Sequence, residues 1–171
     1  MKRLFIIISL AIAAIAWVAC IPRYTLNGAS IDYNTYKTIS FGEFPIRAAL
    51  VYPPLQSMFE NRMTDMIAQQ TRLRVIDTNN ADLRMEGEIT NYQLSPQAVG
   101  EDAYASQTRL TISVKVKYTN NKNQSLSKDL SFSAYRDFPS DQMLTDVQDE
   151  LCDQISKDLA DLIFNATLGD W

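Results

Sequence analysis

Residues 109–118 read RLTISVKVKY, and this stretch decides the fold class. Apolar and polar side chains alternate along it, which predicts a β-strand with one buried face and one wet face. The buried face would carry Leu110, Ile112, Val114, Val116 and Tyr118, and the other face Arg109, Thr111, Ser113, Lys115 and Lys117. Such a strand is typical of an antiparallel sheet that is covered on one side only.

Partner strands are predicted on both sides of this stretch. Residues 83–92 alternate in the same way, and residues 126–135 return after a polar turn at 120–123. The core face of the returning strand would hold Leu126, Leu130, Phe132 and Ala134. Shorter segments rich in β-forming residues, at 24–33, 36–44 and 72–76, are predicted to enlarge the sheet.

Two amphipathic helices are predicted, one over 54–70 and one from residue 140 or 141 to about 166. Both have a single apolar face, so the simplest burial places both on the apolar face of the sheet. The expected fold is therefore α+β, a two-layer sandwich with a mostly antiparallel sheet. Core filling is the preferred role of Met58, Met63 and Met66, and acyl-chain contact is the alternative. The second helix carries its own apolar stripe: Leu144, Val147, Leu151, Ile155, Leu159, Leu162, Ile163 and Ala166.

Composition narrows the possible functions. The 171 residues include no His, which removes His-based catalysis and His-metal sites. The net charge of −4 gives no electrostatic footprint for nucleic acid. We expect no cofactor and no metal site, and we interpret Asp146, Asp149, Glu150 and Asp153 as a solvated helix face. Cys152 is expected to be buried and inert. A small hydrolase that works without His is the least favoured function.

The N-terminus has the pattern of a secretory signal. Lys2 and Arg3 precede an apolar run over 4–19, which is too short for a typical transmembrane helix. The run ends in Trp-Val-Ala-Cys at 17–20, which resembles the lipobox of bacterial lipoproteins, with Trp17 in place of the usual Leu. This resemblance implies cleavage before Cys20 and acylation of Cys20. The expected division is a signal peptide at 1–19, a lipidated tether at 20–27 and one domain at 28–171.

The order of several short segments resembles the Bacteroidetes-type LptE lipoproteins over essentially the whole chain. The segments are YTLNGASI at 24–31, TISF at 38–41, FPIRA at 44–48, GEITNY at 87–92, RLTI at 109–112 and the final Trp171. The resemblance implies a non-enzymatic partner of LptD, a large outer-membrane β-barrel, which it plugs and helps to assemble for lipopolysaccharide delivery. Ile21, where an Asp would resemble an inner-membrane retention signal, favours the periplasmic side of the outer membrane. The alternative is a lipoprotein module of another envelope machine, for secretion or barrel assembly.

Four cations are expected on the wet face of the sheet: Arg84, Arg109, Lys115 and Lys117. We predict that this face contacts lipopolysaccharide phosphates or acidic groups of the barrel wall, since Lys and Arg suit both. The alternative for each residue is a cross-strand ion pair with Glu86 or Glu88, a pair that contributes only about 0.2–1 kcal/mol.

Overall fold

A computed structural model describes residues 31–97 and 106–169, and it confirms the α+β architecture. Two helices pack against one face of an open, five-stranded mixed sheet in the order β2-β1-β3-β4-β5. The predicted signal peptide and the tether at 20–27 lie outside the described residues. The elements are β1 (Thr38–Phe41), α1 (Pro54–Gln70), β2 (Arg74–Val75), β3 (Leu83–Gln97), β4 (Gln107–Asn120), β5 (Lys128–Pro139) and α2 (Leu144–Phe164).

Three long antiparallel strands, β3, β4 and β5, form the larger part of the sheet. The five residues predicted for the buried face of β4 are all at most 1% exposed, so the alternation is confirmed. Along β5, Leu130, Phe132 and Ala134 face the helices, as predicted. The prediction is wrong for Leu126, which lies in a short 3-10 turn (Gln124–Leu126) before the strand begins. Lys128 lies on the same face, and its ammonium group donates to the Ala166 carbonyl at 2.9 Å. A cation at the C-terminal end of a helix is favourable there because it satisfies a free carbonyl.

The other two strands, β1 and β2, run parallel to each other, and β1 is also parallel to β3. Parallel neighbours need a long crossover, which here is α1. Asp82 holds the start of β1 against β3, because its carboxylate accepts the backbone N–H groups of Lys37 (2.7 Å) and Thr38 (3.0 Å).

Helix α1 has the predicted bounds. Pro54 occupies its first turn, where the missing N–H is not needed. Met63 is buried, and Met58 and Met66 pack against the core, which supports core filling for the three methionines. The fully covered face of α1 consists of Leu55, Phe59, Met63 and Ile67. Among residues 31–97 and 106–169, no helix has the length and apolar character needed to cross a bilayer.

Some predicted boundaries are wrong. Residues 24–30 lie outside the described part, and residues 31–33 do not form the expected strand. Instead the Asp32 carboxylate accepts the Asn34 N–H (3.0 Å) and the Thr35 hydroxyl (2.6 Å). This local turn competes with strand pairing, as short Asp side chains often do.

Helix α2 begins at Leu144, later than predicted, because a turn follows β5. The Ser140 N–H donates to the Ser106 carbonyl (3.0 Å), which continues the ladder between β4 and β5. The Gln142 N–H then donates to the Pro139 carbonyl (3.1 Å) and closes the turn. The prediction that Leu162 belongs to the buried stripe of α2 is wrong, because this side chain is 44% exposed. The helix ends at Phe164 and is followed by a wider π-turn over Asn165–Gly169.

Gly87 allows a close approach in the middle of the sheet. A Cβ atom there would lie 2.1 Å from the Lys115 carbonyl oxygen and 2.8 Å from the Phe44 ring. Three residues further, β3 has a bulge at Thr90, so that Ile89 and Tyr92 both face the core. The bulge reverses the alternation, and it moves Asn91 rather than Thr90 into register with Ser113.

Candidate binding surface

The surface opposite the helices is here called the outer face. It carries the side chains of β3, β4 and β5 that alternate with the core residues. From one end to the other, its cross-strand rows are Glu86–Lys117–Asp129, Glu88–Lys115–Ser131, Asn91–Ser113–Ser133, Gln93–Thr111–Tyr135 and Ser95–Arg109–Asp137. Charged rows occupy both ends, and hydroxyl and amide groups occupy the middle.

Three of the four predicted cations meet in one open cleft at the first end. Arg84, Lys115 and Lys117 line a cavity of about 610 Å³. Four carboxylates share this cleft, so its charge is mixed rather than basic: Glu43, Glu86, Glu88 and Asp129. An anion that enters the cleft would therefore meet cations and carboxylates together.

Glu86 is the centre of an ion cluster in the cleft. Arg84 donates to its carboxylate from Nε (3.1 Å) and Nη2 (2.9 Å), and the Lys117 ammonium lies 3.6 Å away. The Arg84 guanidinium holds the pKa of Glu86 below its usual range. Arg84 also donates to the Asn79 side chain. Lys117 thus forms the cross-strand ion pair that the alternative predicts, whereas Arg84 pairs with Glu86 within β3 itself.

Lys115 is different. It is exposed and lies opposite Glu88 in register, yet it makes no ion pair within 4 Å in the described part of the chain. An unpaired ammonium keeps all three donors available for an incoming acceptor. Among the cations of the cleft, Lys115 is therefore the one best placed to bind an external anion.

Arg109 lies at the other end of the outer face, about 20 Å along β4 from Lys115 at ~3.4 Å per residue. It pairs with Asp137 through two bonds, Nε to Oδ1 at 2.7 Å and Nη2 to Oδ2 at 2.9 Å. Its guanidinium also lies 3.7 Å from the centre of the Tyr135 ring. The hydrogen bond with Arg109 keeps the pKa of Asp137 below its ordinary value. Two N–H groups of Arg109 are bonded to Asp137 and the guanidinium is stacked on Tyr135, which favours a rigid platform over a mobile anion trap.

The sequence placed all four cations on one face correctly, but it did not show that they separate into a group of three and a distant Arg109. It also missed several of their neighbours. The register of β5 brings Asp129, Tyr135 and Asp137 onto the same face. Their alternation with the core residues of β5 is visible in the sequence and could have identified them.

Two acidic residues of α2 make contacts with other parts of the fold. Asp153 pairs with Arg62 of α1 at 2.6 Å, and Asp149 accepts the Tyr52 hydroxyl. These carboxylates therefore hold α2 to α1 and to the preceding loop, rather than forming only the predicted solvated face. In the described residues, no group of three or more acidic or Cys side chains is arranged to bind a metal ion.

Cys152 lies fully buried on α2. Burial raises the pKa of its thiol to about 11, so the thiolate is scarce at neutral pH. The prediction of a buried Cys152 is confirmed.

Solved structures share this fold. A minor lipoprotein from Acinetobacter baumannii aligns with TM-score 0.50 and 14% identity, over 75% of this chain and 89% of its own. A protein from Xanthomonas campestris aligns with TM-score 0.52 and 13% identity, over 78% of this chain and 84% of its own. At such low identity the likeness shows the fold alone. Comparison with curated proteins gives no significant match.

A family model matches much more specifically. It is the model of LptE, described as lipopolysaccharide-assembly, and it matches residues 36–167. This range begins just before β1 and ends in the turn after α2, so it includes the whole sheet and both helices. The two-layer fold and the family match lead to one conclusion: the chain belongs to the LptE lipopolysaccharide-assembly family.

Proposed function

We propose that this protein is an outer-membrane lipoprotein, acylated at Cys20, that docks with an LptD-type β-barrel to assemble lipopolysaccharide. The observation that carries the proposal is the LptE family match over residues 36–167. The lipobox-like residues at 17–20 add a membrane anchor. Several acyl chains on one Cys give stable anchoring, because each buried methylene contributes about 0.8 kcal/mol.

The proposed role is non-enzymatic. The whole sequence lacks His, and the protonated thiol of Cys152 is sealed in the core. The outer face has hydrogen-bonding groups and paired charges, which suit recognition of a polar surface. A plug that works by fit needs such groups and no activated nucleophile.

Partner identity is tested by purifying the full-length protein in detergent from its own membranes and identifying bound proteins by mass spectrometry. We expect a stoichiometric large β-barrel of the LptD type. A Cys20→Ser variant is the matched control, because it retains the folded domain but loses the anchor, and it should recover less barrel. Stoichiometric recovery of a different envelope machine would refute the proposed partnership.

Direct lipopolysaccharide contact is assigned to the outer face, with Lys115 as the leading residue and Arg84, Arg109 and Lys117 as supporting residues. Lys115→Glu should weaken lipopolysaccharide binding about threefold to tenfold at low salt, because it replaces an available cation with an anion. Lys157→Glu is the matched control, since it makes the same charge change at an exposed position of α2. Equal affinity of the two variants would refute a role for Lys115.

A further inference from the structure

Strand β5 is the free edge of the sheet. In the described part of the chain it pairs with β4 over its whole length, Lys128–Pro139, and has no strand on its other side. Its register with β4 has no bulge, and no Pro interrupts it before Pro139. Soluble proteins usually shorten, bend or cover such edges, because an open ladder invites another strand.

The direction of the free backbone groups follows from one hydrogen bond. The Ser140 N–H donates to the Ser106 carbonyl (3.0 Å), and the register of β4 with β5 continues from this pair. Backbone direction alternates along an antiparallel ladder, so the even-numbered residues of β5 bond to β4. The odd-numbered residues direct their N–H and C=O groups outward: Asp129, Ser131, Ser133, Tyr135 and Asp137.

A groove lies beside this edge and is formed by β5 and α2. Its volume is about 650 Å³. Leu162 lines it from α2 and is 44% exposed, and the Tyr135 side chain borders it from the outer face and is 50% exposed, so each side of the open ladder offers an apolar contact. The lining contains one cation, Arg136, and three carboxylates: Asp137, Asp158 and Asp161.

Much of this charge is already paired. The Arg136 guanidinium forms an ion pair with Asp158 (2.5 Å) and donates to the Tyr135 carbonyl (2.9 Å), and Asp137 pairs with Arg109. Asp161 makes no ion pair among residues 31–97 and 106–169. The groove therefore has a net negative charge with Asp161 available, and it is complementary to a basic segment.

A second copy of the chain is a poorer occupant. Antiparallel pairing of two β5 strands about Ser133 would set Asp129 of each copy opposite Asp137 of the other. Like charges directly opposite each other destabilise a strand pair.

We propose that β5 is a docking edge for an extended, basic segment of a partner protein, which adds a sixth strand to the sheet and lays its side chains into the groove with α2. Backbone bonds to the outward groups provide affinity. Asp161 beside Leu162 in the groove selects Lys on one face of the segment, and Tyr135 on the outer face selects apolar residues on the other. An eight-residue segment, about 27 Å long at ~3.4 Å per residue, would cover about two thirds of this twelve-residue edge. The proposal does not depend on which protein supplies the segment.

The test uses the full-length protein in detergent with two synthetic peptides, acetyl-KVKVTVKV-amide and its Glu counterpart, acetyl-EVEVTVEV-amide. We expect the Lys peptide to bind and the Glu peptide not to bind. The bound Lys peptide should slow hydrogen exchange at the amides of Ser131, Ser133 and Tyr135. Ser133→Pro should weaken binding about tenfold, because it removes an outward N–H that β4 does not use. Gln93→Ala is the control, since it changes an exposed polar side chain of the outer face on β3, away from the edge.

Leu162→Lys keeps the test decisive if Ser133→Pro does not fold, because Leu162 is exposed on α2. This variant should weaken binding of the Lys peptide at least fivefold and strengthen binding of the Glu peptide. Four results would overturn the proposal: unchanged binding in both variants, protection confined to other strands, edge amides already protected without peptide at every dilution, and protection that rises with protein concentration. Protection without peptide at every dilution would mean that residues of the same chain outside the described ranges occupy the edge. Protection that rises with protein concentration would mean that a second copy of the chain occupies it.

Discussion

We predict that Asp82 contributes more to the free energy of unfolding than any other single carboxylate of the described residues. Its Oδ2 accepts the N–H groups of Lys37 and Thr38, and its Oδ1 lies 3.0 Å from the Lys122 ammonium. The Asp82 N–H in turn donates to the Thr38 hydroxyl at 2.9 Å. One side chain thus ties the start of β1 to β3 and to the turn between β4 and β5. Loss of its charge should weaken the pairing of β1 with β2 and with β3. These are the only parallel pairs between named strands in the described part of the sheet.

The size of the effect follows from the pKa. Burial by itself would raise the pKa of Asp82, but the hydrogen bonds from Lys37, Lys122 and Thr38 outweigh it and lower the pKa from 3.8 to about 2. Such a difference between unfolded and folded pKa values corresponds to about 2 kcal/mol of stability at neutral pH. The side chain is only 17% exposed, so solvent screens little of this. For a chain of this size, Asp82→Asn should lower Tm by about 4–8 °C.

The sign of the pH dependence is fixed by the direction of the shift. A carboxylate with a lowered folded pKa stabilises the protein above its unfolded pKa, and this stability disappears as the pH falls from about 4 to about 2. The difference in unfolding free energy between the natural protein and Asp82→Asn should therefore be full at pH 6 and nearly absent at pH 2. Urea titrations at a series of pH values measure it.

Asp77→Asn is the matched control, because Asp77 is an exposed carboxylate in the same connection between β2 and β3. It should change the free energy of unfolding by less than about 0.5 kcal/mol. A loss at Asp82→Asn that is equal at pH 2 and pH 6 would refute the electrostatic reasoning. It would point instead to the shape of the side chain.

Three further predictions concern positions in the core or in contact with it. Gly87→Ala should destabilise the protein by about 1–3 kcal/mol, because its methyl group would overlap the Lys115 carbonyl; urea unfolding checks this, and unchanged stability would contradict the close approach. Cys152 should resist iodoacetamide at pH 8 in the folded protein and react quickly in urea, because burial raises its pKa to about 11; peptide mass mapping follows it, and fast native labelling would contradict the burial. Tyr36→Phe should cost about 1–3 kcal/mol, because the buried Asn120 amide loses the phenol oxygen 3.1 Å away; equal thermal stability would show that this hydrogen bond contributes little.

Much of the fold was predictable because its core elements follow strict periodicities. The alternation in RLTISVKVKY fixed which side of β4 is buried, since a strand turned over would expose five apolar side chains. The bounds of α1 followed from Pro54 and from apolar residues at helical spacing. The Asx turn at Asp32 and the late start of α2 were missed, because local hydrogen bonds there outcompete the general propensity.

The candidate surface also combines features that the sequence determines with features that only the tertiary structure determines. The sequence by itself determined that Arg84, Arg109, Lys115 and Lys117 share the wet face, because side-chain direction along a strand depends only on parity. Tertiary structure alone decided that Arg84 and Lys117 are held by Glu86, that Lys115 is unpaired and that Arg109 stacks on Tyr135. These outcomes depend on register between strands that are distant in sequence, and register is set by the packing of the whole core. The same packing leaves β5 at the edge beside α2, a position that no local pattern of residues could have specified.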